Sequence, residues 1–258
     1  MGRMPNDHNP PGEISARLVS FAADSADPPG VNDYDGFAQA YAASNENNLI
    51  NAYYERPAML ALAGDVAGRR ILDAGCGSGP LLAALRDRGA IVSGFDKSTG
   101  MLEVARRRLG PDADLRVADL ASPLPYPDGE FDDVIASLVL HYLEDWTAPL
   151  AELQRVLRPG GRLICSVDHP FQGHPLLRPG ADYFSTYQHS YALAPKLLVW
   201  RRPLPAMVSA FIGAGFRIAA IEEPLHAPDT PRELLPEPIA DGRFRGFLCF
   251  LFFVLEAD

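Results

Sequence analysis

The residues of this sequence best suited to chemistry are aspartates set among glycines. Asp73-Ala74-Gly75-Cys76-Gly77-Ser78-Gly79 puts a carboxylate ahead of a glycine-rich turn, and Asp96 lies 23 residues after Asp73. Asp119 follows a third apolar stretch. Glycine lacks Cβ, so a ligand can approach the backbone of such a turn closely. A carboxylate at a strand end can take two adjacent ribose hydroxyls in charge-assisted hydrogen bonds. The Asp119 side chain can accept a hydrogen bond there, while the Leu120 amide can donate one. The pattern points to a nucleoside-bearing ligand. A second set of residues can move protons: His141 and Tyr142, and Asp168-His169. Histidine titrates near pH ~6.5 and accepts a proton at neutral pH. His169 is therefore the expected general base or acceptor-orienting group, with Asp168 as its support and His141 as the alternative. The competing expectation is that His169 only hydrogen-bonds the turn before Pro170. Tyr34, Tyr41, Tyr183, Tyr187 and Trp200 are expected to wall an apolar, aromatic small molecule.

Strand ends must position these groups. The apolar run at 70–72, the glycine turn and the helical period at 81–88 read as strand, tight turn, helix. That unit opens a doubly wound α/β sheet, whose ligands lie at the carboxyl ends of the strands. The rhythm repeats. Strand 90–95 ends in Asp96, and helix 101–109 is capped by Ser98. Strand 115–117 ends in Asp119, and strand 131–137 follows a proline-rich loop. Helix 146–157 stops at Pro159-Gly160-Gly161, and strand 162–167 runs into Asp168-His169-Pro170. Strands alternating with helices imply a parallel sheet with right-handed crossovers.

Both flanks depart from that rhythm. Residues 34–54 have a helical pattern that Pro57 breaks before starting a second helix. Residues 171–201 carry many aromatics with no clear period, and such a stretch inside a domain reads as functional. A helix at 203–215 and strands at 216–221 and 247–255 complete the chain. The expected organisation is a loose arm at 1–30 and one domain at 31–258. Within that domain, 31–66 form a helical cap and 171–201 a substrate-cap insert that closes over the ligands.

Composition narrows the partners. A net charge of −10 argues against a nucleic-acid backbone, which needs a basic face. No apolar run approaches the ~18 residues of a membrane span. The N-terminus shows no signal h-region, and Asn6 stands where a myristoylation signal needs Ser or Thr. Cys76, Cys165 and Cys249 are few and fall in core segments, which suits reduced cytoplasmic thiols. No Cys/His spacing resembles a zinc site, so no metal is expected.

Taken in order, five segments resemble the motifs of class I S-adenosylmethionine-dependent methyltransferases, most closely the ubiquinone/menaquinone-type small-molecule branch. Asp73 to Gly79 is similar to motif I, and Asp96 stands where the family places its ribose acid. Ala118-Asp119-Leu120 resembles the adenine-contacting motif. Residues 131–141 resemble motif IV, and Leu157-Arg158-Pro159-Gly160-Gly161 the turn into strand five. The resemblance implies a Rossmann-like sheet of seven strands with the last antiparallel. It implies S-adenosylmethionine as cofactor, held by Asp73, Gly75, Cys76, Gly77, Asp96, Lys97, Met101, Asp119, Leu120, Ser137 and Tyr41. It also implies methyl transfer to a small, aromatic acceptor through an O, N or C nucleophile, in biosynthetic or secondary metabolism. A homodimer is entertained as the assembly. Ser137-Leu138-Val139-Leu140 is not the Asn/Asp-Pro-Pro-Tyr type of amino-methylating nucleic-acid and glutamine enzymes. One rival is a Rossmann-type nucleotide-cofactor oxidoreductase, whose G-x-G-x-x-G would need glycine at Pro80. Another is a non-catalytic module that binds S-adenosylmethionine.

Overall fold

The structure, a computed structural model, describes residues 32, 34–171, 182–191 and 194–258. The expected arm at 1–30, and 172–181 and 192–193 of the insert, lie outside the described residues. A 3-10 turn, Asp35–Phe37, leads into helix α1, Ala38–Asn45. A second helix spans 49–63 and contains a π-turn, Asn51–Glu55, followed by α2, Arg56–Ala63. Contrary to expectation, Pro57 does not break it. Proline has no N–H to offer the carbonyl four residues back. The helix widens just there: the Arg56 N–H reaches the Asn51 carbonyl, and the Tyr53 carbonyl takes the Ala227 N–H at 2.6 Å.

The alternating units then follow: β1 (Arg70–Ala74), α3 (Pro80–Asp87), β2 (Ile91–Asp96), α4 (Thr99–Leu109), β3 (Asp114–Val117) and β4 (Phe131–Ser137). Next come α5 (Thr147–Val156) and β5 (Leu157–Asp168), a hairpin of β6 (Tyr187–Tyr191) and β7 (Ala194–Arg201), and α6 (Leu204–Gly213). The chain closes with β8 (Phe216–Glu222), α7 (Glu237–Ala240) and β9 (Phe250–Ala257). Seven strands make one sheet in the order β3-β2-β1-β4-β5-β9-β8. The pairings among β1 to β5 are parallel, and β9 is antiparallel to both its neighbours. This is the Rossmann-like sheet that the sequence implied.

Its strands are buried on both faces because alternate residues point opposite ways. Leu72, Val134 and Leu163 pack with Leu150, Leu153 and Phe211 on one side. Ile71, Ile135 and Ile164 pack with Tyr54, Met59 and Leu85 on the other. The strand order reverses between β1 and β4, so a crevice opens at their carboxyl ends.

The insert is more regular than its aromatic pattern indicated. Tyr187 pairs with Arg201, Gln188 with Trp200 and His189 with Val199. Alternation puts Tyr187, His189, Val199 and Arg201 on one face of the hairpin, with Gln188 and Trp200 on the other. Val199 and Arg201 are buried, whereas Gln188 is exposed.

Candidate active site

The glycine turn after β1 forms one wall. Gly75, Gly77 and Gly79 all adopt left-handed φ, at +74°, +53° and +76°. The Gly75 and Cys76 N–H groups both donate to the Phe95 carbonyl at 2.9 Å, which ties the turn to β2. A Cβ on Gly75 would stand 2.6 Å from Val139, whereas one on Gly77 would meet nothing within 4 Å. Gly75 is thus fixed by packing, and Gly77 borders open space. Asp96 faces the same turn. Its carboxylate accepts the Gly77 N–H at 2.9 Å and the Ser98 N–H at 2.8 Å. Burial nevertheless raises its pKa, against the pull of those two bonds.

Asp73, directly before the turn, is 2% exposed, and its Oδ1 has no hydrogen-bond partner. Burial first, then Glu55 and Asp96, push its pKa up to about 8. Met101 is buried in the first turn of α4, whose N-terminus is capped by Ser98. Leu120 is buried; Asp119 is exposed, and its Oδ1 takes the Ala121 N–H at 2.9 Å in a local turn. Lys97 is exposed. Cys76 is buried, and its thiol pKa is raised, chiefly by that burial. The Tyr41 hydroxyl is pushed up to about 12 by burial and by Glu55 and Asp96, which places it beside both acids.

The exit of β4 forms the second wall. Leu138 has φ +50°, a strained conformation for a branched side chain. Its N–H donates to both Ser166 Oγ (3.1 Å) and the Ser166 carbonyl (3.2 Å), which holds the kink. The kink carries Val139 onto Gly75 and starts the 3-10 turn Leu140–Tyr142. Trp146 Nε1 anchors that turn by donating to the Leu140 carbonyl at 2.8 Å. His141 is buried there, with its Nδ1 3.8 Å from Asp168 Oδ1. Burial lowers its pKa, Asp168 opposes that shift and His189 reinforces it. Its ring packs on Tyr142 at 4.7 Å, and the Tyr142 and Tyr34 hydroxyls lie 2.5 Å apart. Tyr34 in turn contacts Tyr41 edge-on. The N-terminal segment is thereby joined to the β4 exit.

His169, the expected base, faces elsewhere. Its Nε2 lies 2.8 Å from Glu223 Oε1, and its Nδ1 accepts the Phe171 N–H at 3.1 Å. With both ring nitrogens engaged it has no free atom for a substrate proton. Asp168 and His169 are consecutive at a strand end, so their side chains diverge. Asp168 turns to His141 rather than supporting His169.

On the hairpin, Arg201 donates to the Pro170 and Tyr183 carbonyls, and its guanidinium lies over the Tyr183 and Tyr187 rings. Its Nε has no partner. Trp200, expected as an acceptor wall, instead lines a separate groove with Glu144, Asp145 and Arg202.

Comparison with known proteins settles the family. Residues 72–165 match the methyltransferase domain family. A demethylmenaquinone methyltransferase of Clavibacter sepedonicus is 39% identical over 168 residues, which cover 64% of this chain and 66% of that protein. The solved S-adenosylmethionine-dependent methyltransferase of Mesorhizobium loti is 30% identical with a TM-score of 0.65, across 78% of this chain and 96% of that one. The chain belongs to the class I S-adenosylmethionine-dependent methyltransferases. Its curated matches include the ubiquinone/menaquinone-type branch, and it spans 58–66% of the length of three demethylmenaquinone methyltransferases that it matches. Burkholderia thailandensis 1,6-didemethyltoxoflavin-N1-methyltransferase, solved with S-adenosylhomocysteine bound, shares the fold at 18% identity and TM-score 0.57 over 86% of this chain and 87% of that one.

The methyltransferase's own residues fit the cofactor. An orphaned buried carboxylate oxygen at Asp73 suits the α-ammonium of an amino-acid end, and the open side of Gly77 beside Asp96 suits a ribose. Asp96→Ala is expected to weaken S-adenosylhomocysteine binding by about 1–3 kcal/mol, the scale of hydrogen bonds to a charged group. Calorimetry measures this directly, and an unchanged affinity would place Asp96 outside the pocket.

Sequence reasoning passed over Glu55, Ser166, Asp35, His189 and Arg201. Glu55 is 4% exposed, and its Oε1 accepts from Ser137 Oγ at 2.6 Å and Ser166 Oγ at 2.7 Å. The available signal was a lone acid beside Tyr54, on a helix with a buried apolar face. Asp35 accepts from Ser98 Oγ and the Gly100 N–H, which lower its pKa and pin the cap to the start of α4.

Proposed function

We propose that this methyltransferase moves the methyl group of S-adenosylmethionine to a small, aromatic organic acceptor. When bound, the cofactor supplies a methyl group already activated by a sulfonium. The protein's task is then alignment and, where the nucleophile carries a proton, its removal. The observation that carries the acceptor side is His141: buried, free at Nδ1 of any hydrogen bond, and 3.8 Å from a carboxylate. Its lowered pKa keeps it neutral at pH 7, ready to take a proton, and Asp168 would stabilise the imidazolium formed. Tyr34, Tyr41 and Tyr142 supply an aromatic wall on one side. The face of the hairpin with Tyr187, His189 and Arg201 closes the other, and Arg201 Nε can donate to an acceptor oxygen. The relatives named for demethylmenaquinone support a ring-bearing acceptor. Residues 31–66 and 171–201 act as the cap in this reading.

Among the described residues no helix is long and apolar enough to cross a membrane. The burial of Cys76, Cys165 and Cys249 supports a cytoplasmic setting, and the net charge of −10 supports the absence of nucleic acid. A homodimer is retained as the proposed assembly.

The test uses the purified protein with labelled S-adenosylmethionine and a panel of phenols, indoles and quinols. The expected result is the mass gain of one methyl group on at least one class. S-adenosylhomocysteine should also raise the melting temperature, as a ligand of the native state does. Stabilisation by NAD, without any response to S-adenosylhomocysteine, would sink this reading in favour of an oxidoreductase. Binding without turnover on any acceptor would favour a non-catalytic module.

A further inference from the structure

Glu55 and Asp73 are two carboxylates buried beneath the glycine turn, 4% and 2% exposed, and neither has an ion-pair partner among the described residues. The neighbouring Arg56 favours the ionised form of Glu55, but burial outweighs it, and its guanidinium forms no ion pair with Glu55 and donates to the Asn45 carbonyl at 2.8 Å. The other groups facing the pair are Tyr41 from α1, Asp96 from β2 and the Cys76 thiol of the turn, and none is positive. Ser137 and Ser166, at the ends of β4 and β5, both donate to Glu55 Oε1, so the side chain is fixed in place. Asp73 Oδ1, in contrast, has no partner at all.

A buried carboxylate without an ion-paired partner is expensive to ionise, and a fold that needed only packing would place an apolar residue at such a site. Here the helix adopts a π-turn that ends on Glu55, and π-turns recur at functional sites. Added positive charge is what would bring the pair to its ionised form.

We propose that Glu55 is a cofactor-recognition residue: with Asp73 it forms an acidic end of the pocket that receives the α-ammonium group of S-adenosylmethionine's amino-acid end. This rests on the cofactor reading above and adds a residue from the N-terminal cap to it. The cap then helps to bind the cofactor as well as covering the acceptor. A pH dependence follows. Burial raises the pKa of both acids without ligand, and a bound cation pulls them down again. Affinity for the α-ammonium therefore rises with pH across the range in which the pair ionises, and binding releases protons.

The experiment compares two ligands by calorimetry on the full chain. S-adenosylhomocysteine carries the amino-acid end; 5′-methylthioadenosine keeps the adenosine and thioether but lacks that end. Glu55→Gln preserves shape and removes charge. It should weaken S-adenosylhomocysteine roughly 10-fold or more, as loss of a charge-assisted contact does, and leave 5′-methylthioadenosine within about two-fold. An unchanged S-adenosylhomocysteine affinity overturns the proposal, and so does an equal loss for both ligands, which would mark Glu55 as structural. The unmutated protein supplies a second arm that is independent of the variant's folding. Between about pH 6 and 7.5 the preference for S-adenosylhomocysteine over 5′-methylthioadenosine should grow with pH, and a flat preference overturns the proposal. If the unmutated protein binds neither ligand, it is the cofactor reading itself that fails.

Discussion

Asp133→Ala is expected to destabilise the fold by about 3 kcal/mol, the lower end of what breaking a buried ion pair does, while leaving cofactor binding intact. Asp133 is the third residue of β4, and its side chain is 1% exposed. Arg69 grips it through Nε (2.6 Å) and Nη2 (2.8 Å), and Arg162 through Nε (2.7 Å) and Nη2 (2.9 Å). Arg162 also donates to the Ala63 carbonyl, so one carboxylate links the entry to β1 with β4, β5 and the end of α2. Burial alone would raise the pKa of Asp133. The hydrogen bonds from Arg162 and Arg69 outweigh it, and the net shift is downward. The sign for stability follows: the contribution is fully present above the ordinary aspartate range and is lost as pH falls through the depressed folded value. The estimate stays at the lower end because both arginines are about a quarter exposed and can rehydrate. For a chain of this size the loss corresponds to a melting temperature lower by roughly 6–12 °C. The site lies at the other end of the strand, about 13 Å away at 3.3 Å per residue, so S-adenosylhomocysteine affinity should persist. Melting within about 2 °C of the unmutated protein would show the cluster to be energetically inert.

The sheet was legible because its signals are local. Apolar runs at Ile71-Leu72, Val134-Ile135 and Leu163-Ile164, each followed by turn residues, specify strands buried on both faces without reference to the rest of the chain. The candidate cofactor wall could be placed for the same reason: Asp73, Gly75, Gly77 and Asp96 lie at or just beyond strand ends, and the strand order brings those ends together. What escaped depends on direction and register. The helical period alone aligns Tyr54 with Ala58 and Ile50 and gives Glu55 no special place; the π-turn that buries it arises because Pro57 lacks a donor and Ala227, remote in sequence, is there to take the Tyr53 carbonyl. The hairpin at 187–201 was hidden because its aromatics alternate across a strand pair whose register no local signal sets. His169 was overvalued for a related reason. Its N–H pairs with the Cys249 carbonyl, which prolongs the contact with the last strand and turns the ring towards Glu223. Two adjacent candidates at a strand end cannot both face one pocket, and only the pairing partner decides which one does.

That geometry separates the two histidines in kinetics. With an acceptor identified by the panel above, His141→Ala is expected to lower turnover by roughly 10²-fold or more, the usual scale for an acid–base group, with S-adenosylhomocysteine affinity nearly unchanged. His169→Ala should do the reverse. It removes the links to Glu223 and to the Phe171 amide, so the melting temperature falls while turnover survives. The pH profile adds a readout that a structural role would not give. Burial lowers the pKa of His141, so the acid limb of the turnover profile should fall below the ~6.5 of an ordinary histidine. Asp168 counteracts part of that shift, so Asp168→Asn should move the limb further into acid while also lowering turnover, because the imidazolium loses its stabilising charge. A limb that does not move in Asp168→Asn would dissociate the pair. Full turnover in His141→Ala would mean that the acceptor needs no base, or that Tyr142, joined to Tyr34 at 2.5 Å beside it, carries the proton instead.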